Sequence, residues 1–413
     1  MNGHYPEIEY ENADELRLEQ HFNRNTESWI RPFGGPLWSV VEQSHQKGLK
    51  GQNRNIAIVD SGFDLSIKRL EDAALGACIQ ESPCAESRDH GTMVALLINE
   101  IAPDATLNLY EISVGGEPSG ELLNKALADI ARSDNDIVNL SLRHRAGAEY
   151  DGVCHCELSE AVARVSAAGK FVAAACGNQS GPVACPAALK AVLSVGYRGE
   201  RREIEWDGDV PVREVAMTAG PVSPQTMLAD VVVQQTPDVL GSSFATPMIS
   251  GLAALSPPLE DLAHIIGMLR DAANASDITA RGFADLQQKY PWEPPIQAMH
   301  ALESRSFNPF YVWMTYWIYV NYSQYLMSQD YSQALKYAQK AVDFAPWNDN
   351  AWSSVAAINM HIAKAPALSV PERRACLLRA VDAYDRALAI RKDHAVYLYW
   401  RRQCQVLAGQ LGE

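Results

Sequence analysis

The chain has 413 residues, 47% of them hydrophobic, and a formal net charge of -15. That length and apolar content are more than one small domain needs, and they imply one sizeable core and a second. The acidic balance, with no concentrated block of Lys or Arg, argues against general binding to nucleic acid or to an anionic membrane.

The first residues, M-N-G-H-Y-P-E-I-E-Y-E-N, lack the basic start and apolar run of a secretory signal, and no later stretch reads as a membrane span, so a cytoplasmic protein is expected. Residues 1–50 pass through W-I-R-P-F-G-G-P-L-W, where proline and glycine disfavour one long regular element. They read as an N-terminal arm that either packs on the following domain or serves as an inhibitory or chaperoning segment.

From residue 55 the pattern becomes alternating α/β. I-A-I-V at 56–59 is a buried strand ending at D-S-G, and T-L-N-L-Y-E-I at 106–112 is another. A helical stripe at 121–132 leads to the strand D-I-V-N-L-S-L at 136–142, and a second at 158–169, stopped by glycine, leads to K-F-V-A-A-A-C-G-N at 170–178 and A-V-L-S-V-G at 191–196. Strands separated by amphipathic helices predict a largely parallel sheet with helices on both faces, with ligands met at the strand C-terminal ends. Helices are expected at 246–256 and 259–273, and P-W-E-P-P at 291–295 then interrupts the chain. The expected domains are the arm at 1–50, an α/β domain at 51–290, and a linker with a small all-α domain at 291–413.

In that last region Ala334, Ala338 and Ala341 share one helix face, with Pro346 closing the run. The segment resembles tetratricopeptide repeats, with Tyr331, Ala334, Ala341 and Pro346 at matching offsets and Ala380, Tyr384 and Ala387 matching the second helix of another repeat. A-K-A-P-A-L-S-V-P at 363–371 interrupts the period, and a plain helical bundle is the alternative. Two units and a terminal helix are short for an independent solenoid, so packing against the first domain is expected.

Eight cysteines stand at 78, 84, 154, 156, 176, 185, 376 and 404, and buried thiols rather than disulfides are expected in a reducing compartment. Cys154-His155-Cys156 is tighter than zinc-ligand spacing and has no matching pair, so no metal is expected. No complete calcium loop, nucleotide loop or H-E-x-x-H pattern is present, and no cofactor is expected.

Four segments carry chemistry when read together: V-D-S-G at 59–62, D-H-G-T-M-V-A at 89–95, C-G-N at 176–178 and G-S-S-F-A-T-P at 241–247. A serine hydroxyl is a poor nucleophile without a base, and His90 can take the proton of Ser243 and later give it to a leaving amine. Asp60 beside the ring would hold the useful tautomer, while the Asn178 amide and the Ser243 backbone N–H would meet the oxyanion at a helix N-terminus. Alone, each segment is a turn or a helix start; jointly they supply every role of acyl transfer.

These residues resemble a subtilisin-like serine protease, or subtilase, in which the triad follows the order Asp, His, Ser. The resemblance covers about residues 50–275 and matches I-V-D-S-G, H-G-T-M-V-A, A-A-C-G-N and G-S-S-F-A-T-P-M-I-S-G, with I-A-P-D-A, N-L-S-L and C-P-A-A-L-K-A-V-L-S-V-G in support. It implies catalytic Asp60, His90 and Ser243, an oxyanion hole at Asn178, and a substrate cleft along Ser141, Leu142, Arg143, Ala175, Cys176 and Gly177. Arg143 stands where such enzymes often have glycine, which suggests a preference for acidic substrate side chains; outward projection into solvent is the alternative. Leu96 departs in the same way from a usual glycine and would tighten helix packing. The expected activity is endoproteolysis of a restricted set of intracellular proteins or peptides through an acyl-enzyme, with a protein regulator or substrate bound by the C-terminal helices. The competing expectation is a catalytically silent binding scaffold.

Overall fold

The computed structural model describes residues 8–9, 17–30, 36–76, 88–115, 117–144, 157–178, 183–189, 191–207, 210–219, 241–256, 292–302 and 307–412. The N-terminal arm folds as short pieces: β1 (Ile8–Glu9), a hairpin of β2 (Phe22–Asn23) and β3 (Ser28–Trp29), then helix α1 (Pro36–Gln46). Phe22 and Trp29 meet edge to face across the hairpin, 5.5 Å between centroids, which suits a cross-strand aromatic pair. Helix α1 was not foreseen in the sequence. Its Pro36 is the first helical residue, where the missing N–H costs nothing.

Next come β4 (Asn55–Asp60), β5 (Ala74–Leu75), α2 (Arg88–Ile101), β6 (Thr106–Glu111), β7 (Ser113–Val114), β8 (Glu117–Pro118), α3 (Gly120–Ile130), β9 (Ile137–Leu140), β10 (Arg143–His144), α4 (Glu157–Ala167), β11 (Phe171–Ala175) and β12 (Leu193–Val195). Six of these strands make one parallel sheet in the order β12-β11-β9-β4-β6-β5. Its central strands are continuous apolar runs because both faces are covered: Ile56, Ala57, Ile58 and Val59 of β4 are all fully buried. Helix α3 starts at Ser119, whose hydroxyl accepts from the Leu122 N–H. Its stripe of Leu122, Leu123, Ala126, Leu127 and Ile130 joins Leu158, Ala161, Val162 and Val165 of α4 in one cluster with the sheet, each buried leucine contributing about 2 kcal/mol.

Helix α5 (Ser242–Ala254) is buried along its whole length and lies close to α2. A Cβ on its Gly251 would fall 2.8 Å from Ile101 Cβ, so glycine there is what permits the approach. In chain order between β12 and α5, β13 (Tyr197–Asp207) and β14 (Val210–Ala219) form a two-stranded sheet absent from the sequence reading. In the sequence, the Asp-Gly pair at 207–208 is the signal that marks such a strand pair.

The chain divides into two units, one of Met1–Glu200, Thr218–Leu286 and Asn308–Phe310, the other of Arg201–Met217, Gln287–Phe307 and Tyr311–Glu413. The helices from α6 (Glu293–Leu302) onward are α7 (Pro309–Leu326), α8 (Tyr331–Phe344), α9 (Asp349–Ile362), α10 (Val370–Ile390) and α11 (Ala395–Gln410). The mostly parallel sheet flanked by helices, followed by an all-α region, is the expected architecture. In α8, Asp330 caps the Ser332 and Gln333 N–H groups, and Ala334, Ala338 and Ala341 are fully buried. Helix α9 is capped by Asn348, and α10 opens with a capping box between Ser369 and Glu372, so the inserted segment ends in a strong helix start. The Tyr397 hydroxyl donates to Asp349 Oδ2 at 3.0 Å, tying α11 to the first turn of α9.

Among the described residues no helix is long and apolar enough to cross a membrane, and no group of three or more His, Cys, Asp or Glu side chains is placed to hold a metal. Cys176, Cys376 and Cys404 are buried free thiols. Cys185 is disulfide-bonded, which corrects the expectation of a thiol at that position. The expected helix at 259–273 and the Cys154-His155-Cys156 segment lie outside the described residues.

Candidate active site

The strand order brings the four sequence segments to one end of the sheet. Asp60 is the last residue of β4, His90 lies in the first turn of α2, Asn178 follows β11, and Ser243 is the second residue of α5. Asp60 and His90 are almost completely buried, and the His90 Nδ1 lies 2.7 Å from Asp60 Oδ1. The same oxygen accepts from the Ser61 backbone N–H at 2.7 Å and from the Ser61 hydroxyl at 3.2 Å. Those bonds fix the carboxylate, and the carboxylate fixes the ring. On its flank the ring packs on Phe244, 5.1 Å between centroids.

Ser243 is held against the strand-end segment that follows β9. Its hydroxyl donates to the Ser141 carbonyl at 3.2 Å, and the Ser141 hydroxyl donates to the Ser243 carbonyl at 2.7 Å. Asn139 and Ser250 extend the network: the Asn139 amide donates to Ser141 Oγ, and the Ser250 hydroxyl donates to Asn139 Oδ1, both at 2.9 Å.

Asn178 is oriented by the residue before the nucleophile candidate. Its Oδ1 accepts from the Ser242 N–H at 2.7 Å and from the Ser242 hydroxyl at 3.0 Å, while Ser242 Oγ accepts from the Gly177 N–H at 3.2 Å. The amide nitrogen is buried with no hydrogen-bond partner among the described residues. An oriented, unspent donor beside a helix N-terminus is suited to a developing negative charge. Gly241 adopts φ +140°, and a Cβ there would fall 2.8 Å from Asn178 Nδ2, so this turn needs glycine.

These distances unite Asp60 with His90, Ser243 with Ser141, and Asn178 with Ser242. The residues expected to line a cleft fall into two groups: Arg143 is half-buried, whereas the Leu142 and Cys176 side chains belong to the apolar core and offer only their backbone. Ala175 is 2% exposed and ends β11.

Three contributors escaped the sequence reading. Ser242 and Asp89 looked like neighbours of more important residues; Asp89 is a buried carboxylate whose Oδ2 accepts from the Leu18 N–H at 3.0 Å. Glu111 looked like the end of a strand. It stands beside Asp60 in the β4–β6 register, and its Oε1 is buried with no hydrogen-bond partner among the described residues. Burial pushes its carboxyl above the usual range, against the opposing pull of Arg88 and the Ser113 hydroxyl. The Ser113 hydroxyl in turn donates to the Ser61 carbonyl.

The subtilase family model, Peptidase_S8, matches residues 51–257, half of the chain. The chain belongs to the subtilase family. It is therefore a subtilisin-like serine protease by descent, and the matched segment contains Asp60, His90, Asn178 and Ser243. The major intracellular serine protease of Bacillus subtilis (strain 168) is 26% identical over 239 residues, which are 52% of this subtilase and 72% of that protein. Subtilisin E of the same strain is 28% identical over 233 residues, 51% of this chain; the match spans 57% of subtilisin E, so less than two thirds of that relative is represented. Among solved structures, the prenylagaramide maturation protease PagA superposes with a TM-score of 0.43 at 19% identity, covering 64% of this chain and 99% of that one.

Proposed function

We propose that the protein is a serine endopeptidase that cleaves a restricted set of intracellular proteins or peptides through an acyl-enzyme. Ser243 Oγ attacks the scissile carbonyl while His90 takes its proton. The imidazolium then protonates the departing amine, and His90 activates the water that hydrolyses the ester. Asp60 keeps the proton on Nδ1 and stabilises the imidazolium. Asn178 Nδ2 and the Ser243 backbone N–H receive the oxyanion. Attack requires the Ser243 hydroxyl to exchange its hydrogen bond to the Ser141 carbonyl for one to His90.

The observation that carries this reading is the buried 2.7 Å Asp60–His90 contact on a chain of this family. Ser141, Leu142 and Arg143 on one side and Ala175, Cys176 and Gly177 on the other would form the substrate cleft, the core residues through their backbone. Arg143 would favour acidic substrate side chains, and a peptide-library profile unchanged by Arg143→Ala would overturn that assignment.

The division into an arm at 1–50, a protease domain at 51–290 and a helical domain at 291–413 belongs to the same proposal. The buried alanine face of α8, together with buried Ala380, Tyr384 and Ala387 in α10, supports a tetratricopeptide-like region that recruits a protein regulator or substrate. A cytoplasmic location is supported by the likeness to a relative named as intracellular. The Ser243–Ser141 hydrogen bond is the one observation that favours a silent scaffold instead. Fluorophosphonate labelling decides: it is expected to modify the wild type and not Ser243→Ala, and absence of labelling in both would overturn the protease reading.

A further inference from the structure

Strand β9 carries one polar residue among apolar ones. Asn139 is fully buried, and its partners across the sheet are Ile58 of β4 and Ala173 of β11, neither of which offers a polar side chain. An amide in such surroundings is costly unless both its ends are paired. Here both are: Asn139 Nδ2 donates to Ser141 Oγ, and the Ser250 hydroxyl donates to Asn139 Oδ1, each at 2.9 Å. Ser141 and Ser250 are themselves fully buried.

The direction of these bonds follows from the far end. A carbonyl oxygen can only accept, so the 2.7 Å contact between Ser141 Oγ and the Ser243 carbonyl takes the single hydroxyl proton of Ser141. Ser141 Oγ must therefore accept from Asn139, which sets the amide nitrogen toward Ser141 and the amide oxygen toward Ser250. Ser250 completes the chain by donating to Asn139, with the Thr246 carbonyl a more distant acceptor at 3.2 Å. Helix α5 explains why the Ser243 carbonyl needs a donor from outside. In a regular helix its partner would be the N–H four residues on, and that residue is Pro247, which has none. The sheet supplies, through the Ser141 hydroxyl, the hydrogen bond that the helix lacks.

We propose that Asn139 is a positioning residue for the nucleophile: it turns the Ser141 hydroxyl toward the Ser243 carbonyl and so holds the backbone from which Ser243 Oγ and N–H project. This role rests on the protease reading for its kinetic consequence and on the hydrogen-bond chain for its geometry. Because the chain ends on a main-chain oxygen, it persists when the Ser243 hydroxyl leaves the Ser141 carbonyl for His90. Bonds aligned head to tail polarise one another, so removing the amide weakens a bond at Ser243 that the amide does not touch. Losing that hold slows attack by about ten-fold, the equivalent of one hydrogen bond of about 1.4 kcal/mol, and leaves peptide binding in place.

The test is a double-mutant cycle in the full-length chain with Asn139→Leu, Ser141→Ala and the two combined. Leucine fills the space of the amide in an apolar strand, so melting within a few degrees of the wild type is expected. Pre-steady-state acylation is expected to fall about ten-fold in each single variant and about ten-fold, not a hundred-fold, in the double, with KM kept within about two-fold throughout. Unchanged acylation in Asn139→Leu overturns the proposal, and so does a double variant in which the two losses multiply. If Asn139→Leu does not fold, Ser250→Ala replaces it, since it frees the amide oxygen without altering the strand. A loss of about three-fold is then expected in the otherwise wild-type chain and none beside Ser141→Ala, and equal losses in the two backgrounds overturn the proposal. If fluorophosphonate does not label the wild type, the protease reading falls, and the same cycle read by chemical denaturation still decides whether Asn139 acts through Ser141.

Discussion

Ser242 fixes the Asn178 carboxamide in one orientation by donating twice to its Oδ1, at 2.7 Å from the backbone and 3.0 Å from the hydroxyl. Ser242→Ala removes one of the two bonds, worth about 1 kcal/mol, and is expected to keep covalent labelling of Ser243 while slowing acylation about three- to ten-fold. Asn178→Ala removes the donor itself and is expected to lower kcat about 10²- to 10³-fold with little change in KM. Pre-steady-state acylation of the two variants measures the difference. Equal losses would show that Ser242 acts by some route other than orienting Asn178.

Gly91 supports the Asp60–His90 pair from below. A Cβ there would fall 2.3 Å from the Gly62 carbonyl oxygen and 3.1 Å from Asp60 Oδ1. The first of these is a backbone atom that no rotamer change can move. Gly91→Ala is expected to cost about 3 kcal/mol or more in stability and to abolish peptide hydrolysis. Chemical denaturation alongside an activity assay tests both, and a stable, active variant would contradict the geometry.

Glu111 sets a pH dependence. Its carboxyl is raised above the ordinary glutamate range, first by burial and against the opposing effect of Arg88. The folded state therefore gains from protonated Glu111, fully so below the unfolded glutamate pKa, and loses that gain as pH rises through the folded pKa. Glu111→Gln keeps the shape and removes the titration. Thermal melts of both proteins from about pH 4 to pH 8 are expected to show the variant gaining on the wild type as pH rises, by a few degrees. A constant difference across the range would contradict this.

The free thiols should be unreactive while the protein is folded. Burial pushes the Cys404 thiol up to about 11, and Cys404, Cys376 and Cys176 are each at most 3% exposed. Iodoacetamide at neutral pH is expected to leave Cys376 and Cys404 unmodified in the native protein and to alkylate both on denaturation, as read by peptide mass mapping. Rapid native modification of Cys404 would mean that α11 opens far more readily than its packing implies.

The central sheet was legible because its strands are runs such as I-A-I-V and V-N-L between helical stripes, a pattern that doubly covered strands require. The Asp60, His90, Asn178 and Ser243 segments were legible because each closes a strand or opens a helix at the same end of the sheet. What escaped notice depends on contacts between distant segments. Asp89 has the Leu18 N–H as its partner, 71 positions away, and Glu111 matters only through its register with Asp60. Helix α1 was hidden by Pro36, read as a breaker where it is an initiator. The Cys185 bond was missed because a thiol's partner is a matter of tertiary proximity.

The reciprocal hydrogen bonds between Ser141 and Ser243 bolt the strand end to the start of α5. On the proposed reading this makes the cleft a ruler whose zero mark is the nucleophile. A bound peptide that slips by one residue turns every side chain to the opposite face, whereas a slip of two restores the original facing. Stray cuts in a good substrate should therefore cluster two residues from the main one, leaving a product ladder with alternate rungs missing.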